Sequence, residues 1–268
     1  IATHSVEVPG NIIYYGYGDP LSPTTAVQFT SSTPPAKYKP VEIITAYGKI
    51  GGSLKVIEIE VVHHPGPPIL APLYSKYSLE INGSSGTVSG NDNCSTNPPL
   101  PPAYVLNPPG TIDISGTPNL TGSPSSPQTG PMDVDIMGYI NELKDDATIT
   151  IIEDQTNCTY GNASNYVICY SDTSNPQGLN LNGVTGYGTL LVKGDLKLGG
   201  GFIWHGLILS TGDVELNGGG SGVNIFGAIL SVQTSTINGG INAYYNSCDI
   251  EDAIENQPLK VIKWKEIY

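Results

Sequence analysis

Residues 190–248 repeat themselves at about twenty residues, and this repeat constrains the fold more than any other feature of the chain. The first unit reads LLVKGDLKLGGGFIWHGLIL, the second STGDVELNGGGSGVNIFGAILS, and a shorter third VQTSTINGGINAYYNSC. Gly194-Asp195 recurs as Gly212-Asp213 after eighteen residues; Gly206-Leu207 recurs as Gly227-Ala228, and Asn217-Gly218 as Asn238-Gly239, each after twenty-one. Short alternating runs punctuated by Gly and Asn at this period predict a solenoid, because one such unit cannot bury its apolar side alone and must stack on its neighbours. A stack of this kind presents surface rather than a deep pocket.

An earlier stretch, LYSKYSLEINGSSGTVSGNDNC at 73–94, matches the same pattern, with Lys76 aligned to Lys193, Leu79 to Leu196, Ile81 to Leu198 and Gly83 to Gly200. The inward positions are expected to be Leu196, Leu198, Leu207, Leu209, Val214, Leu216, Ile225 and Ile229, forming an apolar column. Gly and Asn at the corners tolerate the positive φ of sharp turns. The expected fold is therefore mainly β: a right-handed parallel β-helix, with a small N-terminal β region and one or two short helices. Its open ends need covering.

The organisation along the chain follows from local pattern. Residues 41–47 are strand-like, 53–63 alternate with period two, and a hairpin through Gly51-Gly52 is expected to join them. The run PGPPILAP at 65–72 breaks regular structure and reads as a linker. This predicts an N-terminal β region at 1–65 and a β-helix domain at 66–268, with 73–94 as its first coil and a long insertion at 95–185. Residues 95–131 are rich in Pro, Gly, Ser and Thr and are expected on the surface, with one short strand near 111–114. Residues 132–147 predict a helix capped by Asp133, with Ile136, Ile140, Leu143 and Ala147 on one face. A strand at 148–153, a short helix at 249–256 and a closing strand at 259–267 complete the pattern. The helix at 132–147 and the closing strand are the candidates to cap or cover the stack.

Composition limits the function. The formal charge is −13, all eleven basic residues are Lys, and sixteen Tyr outnumber three Phe and two Trp. Without Arg or a basic face, nucleic acid is excluded as a partner, since phosphate contacts dominate that binding. Tyr suits exposed sheet faces and interfaces, where its ring packs and its hydroxyl meets water. Four Cys without metal spacing predict two disulfides in an exported protein, Cys158–Cys169 and Cys94–Cys248, against four buried thiols in a cytosolic one. Five N-x-S/T sequons, at Asn82, Asn93, Asn119, Asn157 and Asn162, are glycosylation candidates. The sequence holds neither a signal peptide nor an apolar run of membrane-spanning length, and its start at Ile1 is expected to mark a processed or truncated piece.

Parallel β-helices can carry carbohydrate chemistry, and Asp195 and Asp213, near Glu215 and His205, are the candidates for a paired-carboxylate site. The favoured reading is turn chemistry, in which the Asp side chain accepts from backbone N–H groups at a corner. His4, His63 and His64 lack ligand spacing, and Asn91-Asp92-Asn93 lacks the other ligands of a calcium loop, so no metal and no cofactor is expected. Trp204 and Trp264 are candidate glycan or partner contacts. The Gly199–Gly201 and Gly218–Gly220 runs lack the Lys and helix start of a phosphate loop and read as corners.

The strings at 73–94 and 186–248, with GVNIFGAIL and the closing VIKWKEIY, resemble the extracellular portion of PilX-like type IV pilus assembly proteins, a minor pilin family. The resemblance covers roughly 41–268 and rests on Gly-rich structural motifs. The family's N-terminal hydrophobic helix is absent from this sequence, and residues 1–40 lie outside the match. The resemblance implies a non-enzymatic, extracellular, cell-surface protein: a pilus-associated or filament-forming subunit acting in assembly or adhesion, whose partners are itself or pilin subunits, with surface glycans as a further contact. The alternative is a secreted carbohydrate-binding or carbohydrate-cleaving β-helix.

Overall fold

A computed structural model describes residues 6–8, 11–17, 27–29, 39–40, 42–63, 66–83, 85–172 and 178–267. The chain divides into two units, 1–66 with 257–268, and 67–256.

In the first unit, β1 (Val6–Val8), β2 (Asn11–Tyr17), β3 (Val27–Phe29) and β4 (Lys39–Pro40) form one antiparallel sheet around β2. A second sheet begins with β5 (Glu42–Ile50) and β6 (Ser53–His63), the hairpin expected through Gly51-Gly52. Its third strand comes from the far end of the sequence.

The second unit is a seventeen-stranded sheet in which every pairing is parallel and which curls into a half-barrel. In chain order its elements are β7 (Leu73–Ser75), β8 (Ser78–Ile81), β9 (Gly86–Ser89), β10 (Ala103–Leu106), β11 (Thr111–Ile114), β12 (Asn119–Thr121) and β13 (Gln128–Gly130). Helix α1 (Ile136–Leu143) follows, then β14 (Ile149–Thr150), β15 (Gln155–Thr156), β16 (Thr159–Tyr160), β17 (Val167–Ser171), β18 (Leu179–Asn182) and β19 (Thr185–Val192). The unit ends with β20 (Leu196–Gly199), β21 (Ile203–Ser210), β22 (Val214–Ser231), β23 (Ser235–Tyr244) and α2 (Ser247–Glu255). The last element, β24 (Leu259–Ile267), pairs antiparallel with β6, from Leu259 opposite His63 to Ile267 opposite Val56. It therefore completes the sheet of the first unit and is no strand of the parallel stack: its alternation of Lys and apolar residues matches the Glu and Ile alternation of β6.

Register sorts the large sheet into three ladders. One runs β14-β17-β19-β21-β22-β7-β10-β13, a second β15-β18-β20-β22-β23-β8-β11, and a third β16-β19-β21-β22-β23-β9-β12. Leu196, Val214, Ser235 and Leu79 share one row, and Leu198, Leu216, Ile237 and Ile81 another. These rows reproduce the alignment of 73–94 with the later repeat. Yet 73–89 lies beyond 227–244 rather than before 188–204. The chain enters the stack partway along, builds outward through β10–β13, crosses back by α1, and climbs from β14 to meet its own first coil. The stretch 95–185 thus carries β10 to β18 of the same sheet. Its many prolines fall mostly in 98–131, at the outer end, where Pro limits further strand pairing.

Two apolar clusters explain the strand composition. Leu79, Ile81, Leu190, Leu196, Leu198, Trp204, Val214, Leu216, Ile225 and Ile229 fill the interior. Leu207 and Leu209, expected inside, instead belong to a second cluster with Tyr74, Leu191, Leu230 and the α1 residues Ile136, Tyr139, Ile140 and Leu143. Successive residues of a strand face opposite sides, so Ile208 points in while its neighbours lie beneath the helix. A run apolar at every position signals burial on both faces. The helix begins at Ile136 rather than 132, capped by Asp135, whose Oδ1 accepts from the Gly138 N–H at 2.9 Å. Upstream, the Tyr74 hydroxyl accepts from the Val134 N–H at 3.2 Å, and Asp133 pairs with Lys76 at 2.6 Å. The strand expected at 148–153 is confined to Ile149–Thr150. Among the described residues no helix is long and apolar enough to cross a membrane.

Candidate functional site

The candidate carboxylates Asp195 and Asp213 hold corners together. Asp195 Oδ1 accepts the Asp213 N–H from the next coil at 2.9 Å, and Asp213 Oδ1 accepts the Thr234 N–H one coil further at 2.9 Å. Each side chain replaces a backbone partner that the turn leaves unsatisfied. Glu215 faces Lys197 across the ladder at 3.4 Å. His205 is drawn elsewhere: its ring stacks between Tyr187 at 4.4 Å and Phe226 at 4.8 Å, and its Nδ1 lies 2.9 Å from Asp249 Oδ2. Asp249 also accepts from the Tyr166 hydroxyl at 2.7 Å and from Asn246 Nδ2 at 2.7 Å. Burial, then the bond to Asp249, pushes the Tyr166 hydroxyl far above its ordinary value, so it remains a donor. The cluster pins α2 to the sheet. The structure does not gather Asp195, Asp213, Glu215 and His205 into one site.

A second clamp holds the same first turn of α2. Cys94 and Cys248 are disulfide-bonded, with Cα atoms 5.7 Å apart and 154 positions apart in sequence. Beside this bridge, Asp92 accepts from the backbone N–H groups of Cys94 at 3.1 Å, Thr96 at 3.0 Å, Asn97 at 2.8 Å and Ser247 at 2.9 Å, and from Ser247 Oγ at 2.7 Å. Its oxygens are occupied by the protein, which is how the Asn91-Asp92-Asn93 stretch is used. Burial raises the Asp92 carboxyl, but the bonds from Ser247, Asn97 and Cys94 outweigh this and hold it well below the usual carboxylate range. A carboxyl depressed on folding stabilises the fold above the unfolded pKa, near 3.9, and loses that contribution as pH falls through the folded value. Asp92→Asn is expected to lower stability by about 1–2 kcal/mol at pH 7, with the difference from the native chain shrinking below about pH 4. Thermal unfolding of both chains between pH 7 and pH 2 checks this; a constant difference would contradict it.

The other expected site residues scatter. Trp204 is fully buried, stacked on Phe202 at 5.9 Å, with its Nε1 donating to the Gly188 carbonyl at 3.1 Å. It offers no face to a glycan or partner, because its strand turns it into the interior. Cys158 and Cys169, expected to be bridged, are two thiols facing the same interior, Cys169 buried and Cys158 partly so. Asn82, Asn93, Asn119, Asn157 and Asn162 are exposed. Asn82 is also part of a side-chain ladder, donating to Asn238 Oδ1 at 3.4 Å, while Asn238 donates to Asn217 Oδ1 at 3.3 Å. His4 and His64 lie outside the described residues, as does the side chain of His63.

Trp264 is different. It is 67% exposed on β24, opposite Ile59 of β6, which in turn pairs with Ile44 of β5. Residues directly opposite one another share a face of an antiparallel sheet. One face of β5–β6–β24 therefore carries Ile44, Ile57, Ile59, Val261 and Trp264, with Val261 55% and Ile44 40% exposed, and ends in the ion pair Lys55–Glu266. The other face carries the ion pairs Lys263–Glu60 and Lys265–Glu58. Sequence reasoning found Trp264 but not this face, whose signal is the coincidence of apolar parity in three strands, one of them two hundred residues away.

No family model matches the chain, and no curated protein matches it. Among solved structures, the competence-associated pilin ComZ from Thermus thermophilus is similar at 10% identity and a TM-score of 0.31, over 99% of this chain and 86% of that one. At that identity and score the likeness transfers neither fold nor function.

Proposed function

We propose that this chain is a non-enzymatic structural subunit of an extracellular, pilus-associated filament. Its residues 67–256 form a right-handed parallel β-helix that serves as a scaffold, and its β5–β6–β24 sheet docks onto a second copy at the cell surface. The observation that carries the reading is the apolar face of that sheet, with Trp264 67% and Val261 55% exposed. Exposed apolar faces of this kind mark interaction surfaces. The three parallel ladders and the turn of about twenty residues support the β-helix. The Cys94–Cys248 bridge supports an oxidising, extracellular setting.

Charge selects the occupant of the face. Residues 67–256 carry four Lys against eighteen Asp and Glu, a formal −14, whereas 1–66 with 257–268 carry seven Lys against six, a formal +1. Two strongly acidic scaffolds repel each other, so contact between copies runs through the near-neutral unit. Because this face meets a different surface of its neighbour, the contact is head to tail and leads to an open filament.

Trp264→Lys is expected to weaken self-association by at least tenfold, as loss of a central aromatic anchor does, while the circular dichroism spectrum stays unchanged. Light scattering across a concentration series measures it. Equal association of the two chains would overturn the docking face, and association only with added pilin would replace the second copy as occupant.

A further inference from the structure

Cys158 and Cys169 stand in the two coils at the inner end of the parallel sheet. Cys169 lies in β17, fully buried, in register between Ile149 of β14 and Leu190 of β19. Cys158 immediately precedes β16 and packs against the same interior cluster. Burial, then the nearby Cys158, pushes the Cys169 thiol up to about 12. The two thiols thus face one dry interior from adjacent coils.

The end coil is the most weakly tied part of the stack. Its strands β14, β15 and β16 have two residues each, whereas β17 has five and β19 eight. Ile152, within that coil, is 80% exposed. Short ladders hold a terminal coil by few hydrogen bonds, and such ends open locally before the rest.

We propose that Cys158 and Cys169 are a second cross-link site, oxidised to a disulfide that staples the end coil to its neighbour. The oxidant is a disulfide, either oxidised glutathione or a dithiol–disulfide oxidoreductase. The thiolate of one Cys attacks a sulfur of the oxidant, forming a mixed disulfide and releasing one reduced thiol. The second Cys thiolate then attacks the protein sulfur of that intermediate, forming the Cys158–Cys169 bond and expelling the second reduced thiol. The two protons of the cysteines end on the oxidant's two sulfurs, and two electrons pass to it. Because the folded interior disfavours the thiolate, the exchange takes place while 149–169 is still open during folding. An environment that joins Cys94 to Cys248 across 154 residues supplies what this closure over eleven residues requires. The inference is independent of the filament reading.

The test is to refold the reduced full-length chain in a buffer of oxidised and reduced glutathione, then to count thiols under denaturing conditions and to map linked peptides by mass spectrometry. The expected result is no free thiol, with Cys158–Cys169 and Cys94–Cys248 both linked. Two free thiols at 158 and 169 beside an intact Cys94–Cys248 bridge would overturn the proposal, as would mixed pairings between the two sets. As a second arm, the Cys158→Ser, Cys169→Ser double variant is expected to exchange backbone amides at 149–160 about a hundredfold faster than the oxidised chain, with 73–89 unaffected. Equal exchange at 149–160 would overturn the stapling role.

Discussion

Replacing Cys94 and Cys248 by Ser is expected to lower the unfolding free energy by about 4 kcal/mol. The bridge spans 154 residues, and a cross-link over a loop of that size removes about 5 kcal/mol of chain entropy from the unfolded state, an upper value that residual structure reduces. The native side adds to the effect. The bridge fixes the first turn of α2 to the 89–97 segment, where Asp92 accepts from Ser247 and the Tyr245 N–H donates to the Ser89 carbonyl at 2.8 Å. Since 73–89 is the coil at which the chain closes on its own later repeat, loss of the clamp falls on the junction between β9 and β23. Urea unfolding of the double variant measures it, and hydrogen exchange is expected to rise first at 86–97 and 241–250. A loss below about 1 kcal/mol would show that the junction is held by its ladders alone.

Gly206→Ala is expected to cost about 3 kcal/mol or more. Gly188, Gly206 and Gly227 form a column in register, each at positive φ: +131°, +120° and +144°. At Gly206 an added Cβ would meet the Gly188 carbonyl oxygen of the coil below and stand 3.0 Å from Ala253 Cβ on α2. Backbone strain and collision with main chain that cannot move aside combine here. Gly219→Ala is the matched control, because a Cβ there meets nothing within 4 Å, and its effect is expected to stay within about 0.5 kcal/mol. Equal effects at 206 and 219 would remove the argument from inter-coil contact.

Much of the scaffold was legible in the sequence because identical rows repeat identical requirements. The match of Leu79 to Leu196 and Ile81 to Leu198 anticipated the rows in which these residues stand. The carboxylates of Asp195 and Asp213 were legible as turn chemistry for the same reason: a corner leaves the same N–H unsatisfied in each coil. What stayed hidden depends on which element lies next to which. The repeat does not record stacking order, so 73–94 read as the first coil although it closes the stack near its far side. An all-apolar run such as Leu207-Ile208-Leu209 signals two buried faces but not the helix that covers one of them. Trp204 and Trp264 occupy similar alternating strings, yet one is interior and the other exposed, because β24 belongs to a sheet whose opposite strands lie at 42–63.

The proposed docking face was the least legible feature and carries the functional reading. Its residues come from three strands, and only their pairing puts Ile44, Ile59 and Trp264 in one line. The most direct test of the central claim is electron microscopy of the native purified chain at low salt, with Trp264→Lys prepared alongside. A scaffold subunit that docks head to tail gives ordered polymers of the native chain and dispersed particles of the variant. Monodisperse native particles would contradict a filament subunit.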